Sequence, residues 1–417
     1  MKKTQSLLQI VVLNTYWVGL SFMWNALHPI ILPAVLLNYI PDEAQKNTYL
    51  GLLTFVGLII AMIVQPISGA LSDRWISRFG RRRPLIALGT LFDFVFLALI
   101  GWAGGVVWLA IGYVGLQFSS NVAHGPAQGL LPDRVPREQL DIASGIKTFM
   151  DLLSVIIASL VAGNLLDPSG KDPSLVIFLV MVMLAISTLI TLLCITEEPT
   201  NLRSGQPLKP RNVWKELRAQ FKIDFRANAS YWWLIAERFL FLLGIYAIQQ
   251  FVQYYIRDVL EVADPVKVTG NLMASLGIGL VLLALAGGWL TKKFGAKRIL
   301  VVTGILVAIG FLFLPLARSE PALTLIGSII GAGLGLFLTA NWALATRLAP
   351  GEEAGKYLGL TNIATAGSAA LGRLWGPALD GLNNAWPGMW YGYSTMFICS
   401  AVFALLSLLL LIKVKEA

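Results

Sequence analysis

The chain has 417 residues, of which 56% are apolar and 13% are charged, and its formal net charge is +9. The charged share is about half of that in soluble proteins, so a soluble globular fold would lack a hydrated surface. The composition also excludes a disordered chain, and the presence of only two cysteines excludes a disulfide-rich secreted scaffold. A polytopic membrane protein remains, because a helix needs about 20 apolar residues to cross a bilayer.

Apolar runs that are long enough for helical spans follow one another along the whole chain. The first run begins close to Met1 without a small-residue cleavage site, so we interpret it as a membrane helix rather than a signal peptide. In the tenth run, Gly327, Gly331 and Gly335 recur every four residues, which predicts close helix packing. The twelve predicted spans cover residues 10–37, 49–71, 85–104, 107–131, 142–166, 174–194, 231–256, 268–290, 299–317, 321–345, 357–379 and 388–412.

The largest interruption between spans is the basic segment 195–230. It divides the chain into an N-terminal six-helix domain, residues 1–194, and a C-terminal six-helix domain, residues 231–417, with 195–230 as a cytoplasmic linker. The predicted fold class is therefore an all-α membrane protein with twelve transmembrane helices in two pseudo-symmetric six-helix domains.

Lys and Arg residues concentrate in alternate segments between the spans, above all in 72–84, 195–230 and 291–298. The segments on the other side carry no net positive charge. Because loops rich in Lys and Arg stay on the cytoplasmic side, both termini are predicted to be cytoplasmic. Topology thus explains the basic net charge, and no nucleic-acid partner is needed.

A short charged loop follows the second span and recurs after the eighth. Residues 69–83 read GALSDRWISRFGRRR, and residues 287–298 read GGWLTKKFGAKR. In the first copy we expect Gly69 to allow close helix approach and Gly80 to permit a tight turn. We expect the arginines to pair with nearby aspartates. A loop that only anchors the helices at the membrane surface would need fewer of these residues, which favours a gating or hinge role. The predicted gating loop comprises Gly69, Asp73, Arg74, Gly80, Arg81, Arg82, Arg83 and Asp133.

This loop resembles the signature loop between spans two and three of the major facilitator superfamily. The longer run from Gln65 to Pro84, with Asn121 and Asp133 further on, is similar to the sucrose-transporter branch of the glycoside–pentoside–hexuronide:cation symporters. The resemblance implies two parallel six-span halves and proton-coupled sugar uptake by alternating access. Sucrose carriers have an acidic residue in span four where this chain has Gln117, so the coupling ion stays open. The short loops resemble those of bacterial members.

Span four carries a polar stripe on one helix face, at i, i+4, i+7 and i+11: Gln117, Asn121, His124 and Gln128. Such side chains avoid lipid, so they either bond to other helices or line a cavity for sugar hydroxyls. Spans one and seven carry similar faces, and in the superfamily the first, fourth, seventh and tenth spans line the central cavity. The predicted substrate-binding residues are Trp24, Asn25, His28, Gln117, Asn121, His124, Tyr246, Gln249, Gln250, Gln253, Asn341, Trp342 and Asn362.

Six ionisable side chains lie within predicted spans, where each costs roughly 2.5–3.5 kcal/mol. Lys147 and Asp151 are one turn apart and are predicted to pair, with Asp151 or a histidine as the first candidate to carry a proton. Asp93 is expected to contact the arginine loop or the coupling site. Glu237 and Arg238 lie near the cytoplasmic end of span seven, where we expect them to reach the interface and form a structural or gating pair. The predicted coupling residues are Asp93, Lys147, Asp151 and Arg373.

The sequence has no complete phosphate-binding loop, since the nearest run, 351–356, is one residue short, and it has no cluster of metal ligands. We predict no metal, no cofactor and no enzyme activity. The predicted function is a cation- or proton-coupled symporter of a disaccharide or glycoside, monomeric in a bacterial inner membrane. The alternatives are a major facilitator exporter, working as an antiporter of a drug, metabolite or cofactor, and a polytopic membrane enzyme, which is less favoured. Substrate, direction and coupling ion stay open.

Overall fold

A computed structural model describes residues 4–195, 197, 228–349 and 354–415. The regular structure of these residues is helical, without a strand. Most of the predicted linker 195–230 lies outside the described residues, as do both ends of the chain.

The helices before the linker follow the apolar runs closely. A π-helical turn at Leu27–Ile31 joins the first two of them, so that one continuous helical span covers Leu7–Leu36. The helices are α1 (Leu7–Ala26), α2 (Leu32–Leu36), α3 (Lys46–Asp73), α4 (Arg83–Gly101), α5 (Val106–Arg134), α6 (Leu140–Leu165) and α7 (Ser174–Cys194).

The helices after the linker also follow the apolar runs, with short turns between them. They are α8 (Ala229–Leu260), α9 (Pro265–Phe294), α10 (Ala296–Phe313), α11 (Glu320–Leu348), α12 (Ala354–Arg373), α13 (Trp375–Ala385) and α14 (Tyr391–Ile412).

Eleven spans in the described part of the chain are long and apolar enough to cross a membrane, whereas the sequence predicts twelve. The difference lies in the eleventh predicted span, 357–379, which is divided between α12 and α13. α12 contains many Gly, Ala and Thr residues, ends at the charged Arg373 and falls short of the apolar content of the others. The chain is an integral membrane protein of the all-α class, with its predicted eleventh span interrupted near Leu374.

The described residues divide into two compact units. One contains Val56–Val161 and the described parts of Met1–Tyr39 and Leu165–Ala219, and the other contains Ile40–Phe55, Ala162–Asn164 and the described residues after Gln220. The division differs from the predicted domains because the first ten residues of α3 belong to the second unit.

Close helix contacts in the first unit depend on glycines of α3 and α5. A Cβ atom added to Gly125 would lie 2.3 Å from the Gln65 carbonyl oxygen and 2.7 Å from the Gly69 backbone nitrogen. The predicted close approach at Gly69 is therefore confirmed, and it holds the start of the charged loop beside the end of α5.

Packing between α9 and α11 in the second unit depends on the predicted glycine series. A Cβ atom on Gly331 would lie 2.0 Å from the Leu276 carbonyl oxygen, and one on Gly335 would lie 2.3 Å from the Leu280 carbonyl oxygen. Apolar lipid provides little hydrophobic drive for helix association, so this backbone-to-backbone contact contributes much of the packing energy. The prediction of close helix packing is confirmed.

We expect Gly331→Ala to lower the thermal stability of the purified protein, because the new methyl group must push α9 and α11 apart at a cost of about 1–3 kcal/mol. Gly288→Ala is the matched control, since a Cβ atom there meets nothing within 4 Å. Unfolding temperatures in detergent measure the effect. Equal values for Gly331→Ala and the control would contradict this account of the packing.

Candidate functional site

A hydrogen-bonded cluster in the first unit joins α5 to the π-helical turn after α1. The His28 Nε2 atom lies 2.9 Å from the Tyr113 hydroxyl, to which the Gln117 amide donates at 2.8 Å. Asn121 donates to the Gln117 carbonyl at 2.7 Å, and the Trp24 ring stacks on His28 at 4.8 Å between centroids. Four predicted substrate-binding residues thus lie together. Tyr113 was missed, although it lies one helical turn before Gln117 and extends the polar stripe of span four.

The position of His28 depends on two prolines that follow it in the sequence. Pro29 and Pro33 have no backbone N–H to donate, which interrupts the regular helical hydrogen bonding, and the chain forms a π-helical turn over Leu27–Ile31. π-turns of this kind are frequent at functional sites. Trp24, Asn25 and His28 are all half-buried along this stretch, and the Asn25 amide donates to the Ser21 carbonyl of its own helix at 2.7 Å.

The predicted pair in α6 forms and has a further partner. Lys147 Nζ lies 2.7 Å from an Asp151 carboxylate oxygen, and the Ser21 hydroxyl donates to the other oxygen at 2.7 Å. The ammonium group also lies 3.9 Å from the centroid of the Trp17 ring. The Asp151 carboxylate is thereby held by a cation and a hydroxyl.

The polar stripe of α5 separates into two pairs. Gln117 and Asn121 are buried, whereas Gln128 is exposed and its amide lies 3.1 Å from His124 Nε2. The His124 ring meets Trp17 edge-on at 5.1 Å between centroids. His124 therefore belongs with the Lys147 side of the unit rather than with the His28 cluster.

Asp93 on α4 is fully buried. The Ser119 hydroxyl of α5 donates to its Oδ1 atom at 2.5 Å, and its Oδ2 atom has no hydrogen-bond partner in the described structure. Its hydrogen bond runs to the neutral Ser119, and neither Asp151 nor the arginines of the charged loop pair with it in the described structure.

The charged loop forms an ion-pair network around Arg82, whose side chain is buried. Its guanidinium lies 2.5 Å from an Asp73 oxygen and 3.0 Å from an Asp133 oxygen, and it donates to the Ser72 hydroxyl at 2.5 Å. Arg81 pairs with the other Asp133 oxygen at 2.7 Å. The expected pairing of the arginines with both aspartates is confirmed.

Two features of this loop concern its shape and its neighbours. Gly80 has a φ of 92° and its N–H donates to the Ser77 carbonyl at 3.2 Å, so the predicted tight turn is confirmed. Gly295, its counterpart in the second copy, also has a positive φ, of 87°. Glu197 was missed by the sequence analysis, and its carboxylate accepts from the backbone N–H groups of Arg82 and Arg83 at 2.9 and 3.1 Å. A Cβ atom on Gly129 would lie 2.4 Å from the Arg82 guanidinium carbon, so this glycine leaves room for the arginine.

The polar face of α8 in the second unit divides by burial. Tyr246 and Gln249 are half-buried, whereas Gln250 and Gln253 are buried. Gln253 has neither amide atom bonded within the described structure, and the nitrogen of Gln250 is likewise unbonded. Unbonded buried amides are costly, and the hydrogen-bonding capacity of these two side chains is unused within the described structure.

The predicted position of Glu237 and Arg238 at the membrane interface is wrong. They do not reach the interface, because both are buried between α8, α11 and α12, at 0% and 6% exposure. Asn341 joins them: its Nδ2 atom donates to Glu237 Oε2 at 2.8 Å, and its Oδ1 atom accepts from Arg238 Nη1 at 2.8 Å. Arg238 Nε donates to the Thr365 hydroxyl at 3.0 Å.

The remaining predicted residues of the second unit lie apart from this cluster. Trp342 and Asn362 are exposed, and buried Arg373 donates to the Ala369 carbonyl of its own helix at 2.6 Å. No group of three or more His, Cys, Asp or Glu side chains in the described ranges is placed to hold a metal ion.

A second buried network was missed because its members lie in predicted loops or at span ends. Lys46 pairs with Asp258 at 2.9 Å, and the Tyr393 hydroxyl donates to the same aspartate at 2.7 Å. Asp380 accepts from the Asn47 amide at 2.8 Å and from the Thr48 backbone N–H at 2.6 Å, and so caps the first turn of α3. All six residues lie in the second unit.

The chain is similar both to a protein named as a drug efflux pump and to one named as a sucrose transporter. It is 22% identical over 410 residues to the multi-drug resistance efflux pump PmrA of Streptococcus pneumoniae, covering 97% of this chain and 98% of the pump. It is also 25% identical over 166 residues to the sucrose transport protein SUC3 of Arabidopsis thaliana, covering 34% of this chain and 27% of SUC3.

The fold matches that of solved transporters. The D-xylose-proton symporter superposes with a TM-score of 0.76 at 16% sequence identity, over 99% of this chain and 98% of the symporter. The sequence profile of the Major Facilitator Superfamily matches residues 12–372 and 265–417. The helices, their order and this profile together establish that the chain is a transporter and belongs to the Major Facilitator Superfamily.

Proposed function

We propose that this transporter is a proton-coupled symporter of a disaccharide or glycoside. In this proposal it acts as a monomer in a bacterial inner membrane, with two six-helix domains, residues 1–194 and 231–417, and with both termini in the cytoplasm. The concentration of Lys and Arg in the loops 72–84 and 291–298 supports this orientation.

The observation that carries the proposal is the His28–Tyr113–Gln117–Asn121 cluster. Sugar hydroxyls both donate and accept hydrogen bonds, and amides, a phenol and an imidazole supply both kinds of group in one place. The half-buried Trp24 ring beside the cluster offers a flat apolar surface of the kind that packs against sugar rings. Polar groups that converge among apolar walls are typical of small-molecule sites.

The second unit offers matching groups on α8. The unbonded amides of Gln250 and Gln253 are suited to the same hydroxyl chemistry. A site for a lipophilic drug would favour apolar and aromatic side chains, so the amides support a sugar. The similarity to SUC3 in part of the chain and the fold shared with the D-xylose-proton symporter agree with this choice.

Export by antiport is the second candidate function. It is supported by the similarity to the efflux pump PmrA, which extends over nearly the whole chain. Import and export differ in the direction of proton movement relative to solute, so one transport assay separates them.

In the proposed mechanism the network around Arg82 controls opening on the cytoplasmic side. Arg82 holds Asp73 at the end of α3 and Asp133 at the end of α5, so it fixes two helix ends to one another. The second copy of the loop has Thr346 at the position that matches Asp133. We therefore assign the controlling role to the first copy.

Gln117→Ala is expected to raise the sucrose concentration for half-maximal uptake by roughly fivefold, since it removes a hydrogen-bonding group worth about 1 kcal/mol. The assay is [14C]sucrose uptake into proteoliposomes under an inward proton gradient, with Gln45→Ala, in an exposed loop, as the control. Wild-type protein that takes up no sugar but moves ethidium against a proton gradient would contradict sugar symport and establish export.

Arg82→Gln is expected to destabilise the protein by about 1–3 kcal/mol and to slow sucrose counterflow, because it leaves Asp73 without its cation and Asp133 with Arg81 alone. Arg78→Gln removes the same charge from an exposed position of the same loop and should leave both properties unchanged. Unfolding temperature and counterflow rate are measured on the same preparations. If both variants counterflow as the wild type does, the loop has no controlling role.

A further inference from the structure

We propose that Glu237 is the proton-binding group that couples proton movement to sugar binding, with Asn341 and Arg238 as the side chains that transmit its charge state. This inference rests on the proposed proton-coupled function and deepens it. Glu237 was predicted to reach the interface and is not among the predicted coupling residues, so its assignment rests on the structure.

The surroundings of Glu237 are those of a group that takes up and releases one proton. Its side chain is 0% exposed, and its Oε2 atom accepts one hydrogen bond, from Asn341. Its Oε1 atom has no hydrogen-bond partner in the described structure. A buried carboxylate is costly unless its charge is compensated, so an unbonded oxygen favours the neutral acid.

The positive charge that compensates Glu237 is the Arg238 guanidinium, which does not contact the carboxylate directly. Arg238 is the charged side chain that acts on Glu237 in the described structure, and its own hydrogen bonds run to Asn341 and Thr365 rather than to the carboxylate. α11 and α12 present neutral Asn341 and Thr365 to this pair. The proton on Glu237 therefore decides whether the cluster carries a net positive charge.

The other titratable groups around the cluster act on Arg238. The Tyr231 and Tyr246 hydroxyls, both on α8, interact with its guanidinium. Arg373 of α12 acts on Tyr246 in turn. These groups stay neutral phenols or cations in the range where a carboxyl group titrates, so Glu237 is the member whose charge changes.

The two other candidate carboxylates fit the coupling role less well. Asp151 is half-buried and already ion-paired with Lys147 at 2.7 Å, so its charge is compensated. Asp93 is as buried as Glu237, but its hydrogen bond runs to Ser119, which is not among the predicted substrate-binding residues. Glu237 is bonded directly to one of those residues, Asn341.

The coupling step follows from the two bonds of the Asn341 amide. With Glu237 ionised, the carboxylate holds the amide nitrogen through a charge-assisted bond, and the amide oxygen holds Arg238. When one proton binds Oε1, the carboxylate becomes a neutral acid and this hold weakens. Asn341 and Arg238 then become available to sugar hydroxyls. The proton leaves from the same oxygen after the sugar has been released.

This scheme fixes the sign of the pH dependence. Because sugar binds the protonated form, proton and sugar each raise the affinity for the other by the same factor. Above the pH at which Glu237 loses its proton, the sucrose dissociation constant should rise about tenfold for each pH unit, since one proton is linked to one sugar. Glu237→Gln keeps the shape of the acid and should bind sucrose with no such dependence.

The experiment compares wild type, Glu237→Gln and Glu320→Gln. Glu320 is a half-buried carboxylate at the start of α11 that bonds to Asn271, so it controls for the loss of a carboxyl group. Sucrose binding to the purified proteins is titrated by calorimetry across a pH series. In proteoliposomes, Glu237→Gln should retain sucrose counterflow and lose accumulation driven by a proton gradient, whereas Glu320→Gln should retain both. Proton-driven accumulation by Glu237→Gln, or a pH dependence like that of the wild type, would overturn the proposal.

Infrared difference spectra between acidic and alkaline samples test the proton site without sugar. We expect the wild type and Glu320→Gln to share one carboxylic acid C=O band that Glu237→Gln lacks, while the bands of the remaining carboxyl groups are common to all three proteins. An unchanged band in Glu237→Gln overturns the proposal even if sugar transport is confirmed. A band that Glu237→Gln removes, in a protein that binds no sucrose, shows that the proposed substrate is wrong while the proton site stands.

Discussion

Inside a bilayer no water solvates a buried polar group, so the buried charges of this chain must find their partners within the protein. Within α6, Lys147 meets this constraint with Asp151. Arg82 and Lys46 are buried at helix ends and pair with aspartates in the same way. Glu237 and Gln253 do not, since each keeps a buried atom without a hydrogen-bond partner in the described residues. The paired groups hold helices together, and the unpaired atoms of Glu237 and Gln253 are the basis of the roles proposed for these two residues.

The two copies of the charged loop share their backbone turn but differ in their chemistry. Gly80 and Gly295 both have a positive φ, which glycine adopts at no steric cost. The first copy then joins α3 to α5 through Arg82, whereas Lys297 in the second donates to the Val414 carbonyl at 2.7 Å. The repeated loop therefore forms an ion-pair network between two helices in the first half and a hydrogen bond to a backbone carbonyl in the second.

Local features of this chain were predictable from its sequence, and contacts between distant helices were not. The pairing of Lys147 with Asp151 and the turn at Gly80 follow from spacing and residue type within a few positions. The eleventh span was predicted as one helix, although Arg373 and the following Gly376 and Pro377 lie beside the break. The burial of Glu237 and the bond of Tyr113 to His28 depend on which helix faces which, and one sequence does not contain that information.

Proton movement that accompanies sugar entry tests the central claim most directly. Wild-type proteoliposomes without any imposed gradient are suspended in weakly buffered medium, and sucrose is added while external pH is recorded. A symporter carries a proton from the medium into the vesicle with each sugar, so the medium should become more alkaline. A protonophore should abolish this pH change. No pH change during measurable sucrose entry, or acidification of the medium, would contradict the account.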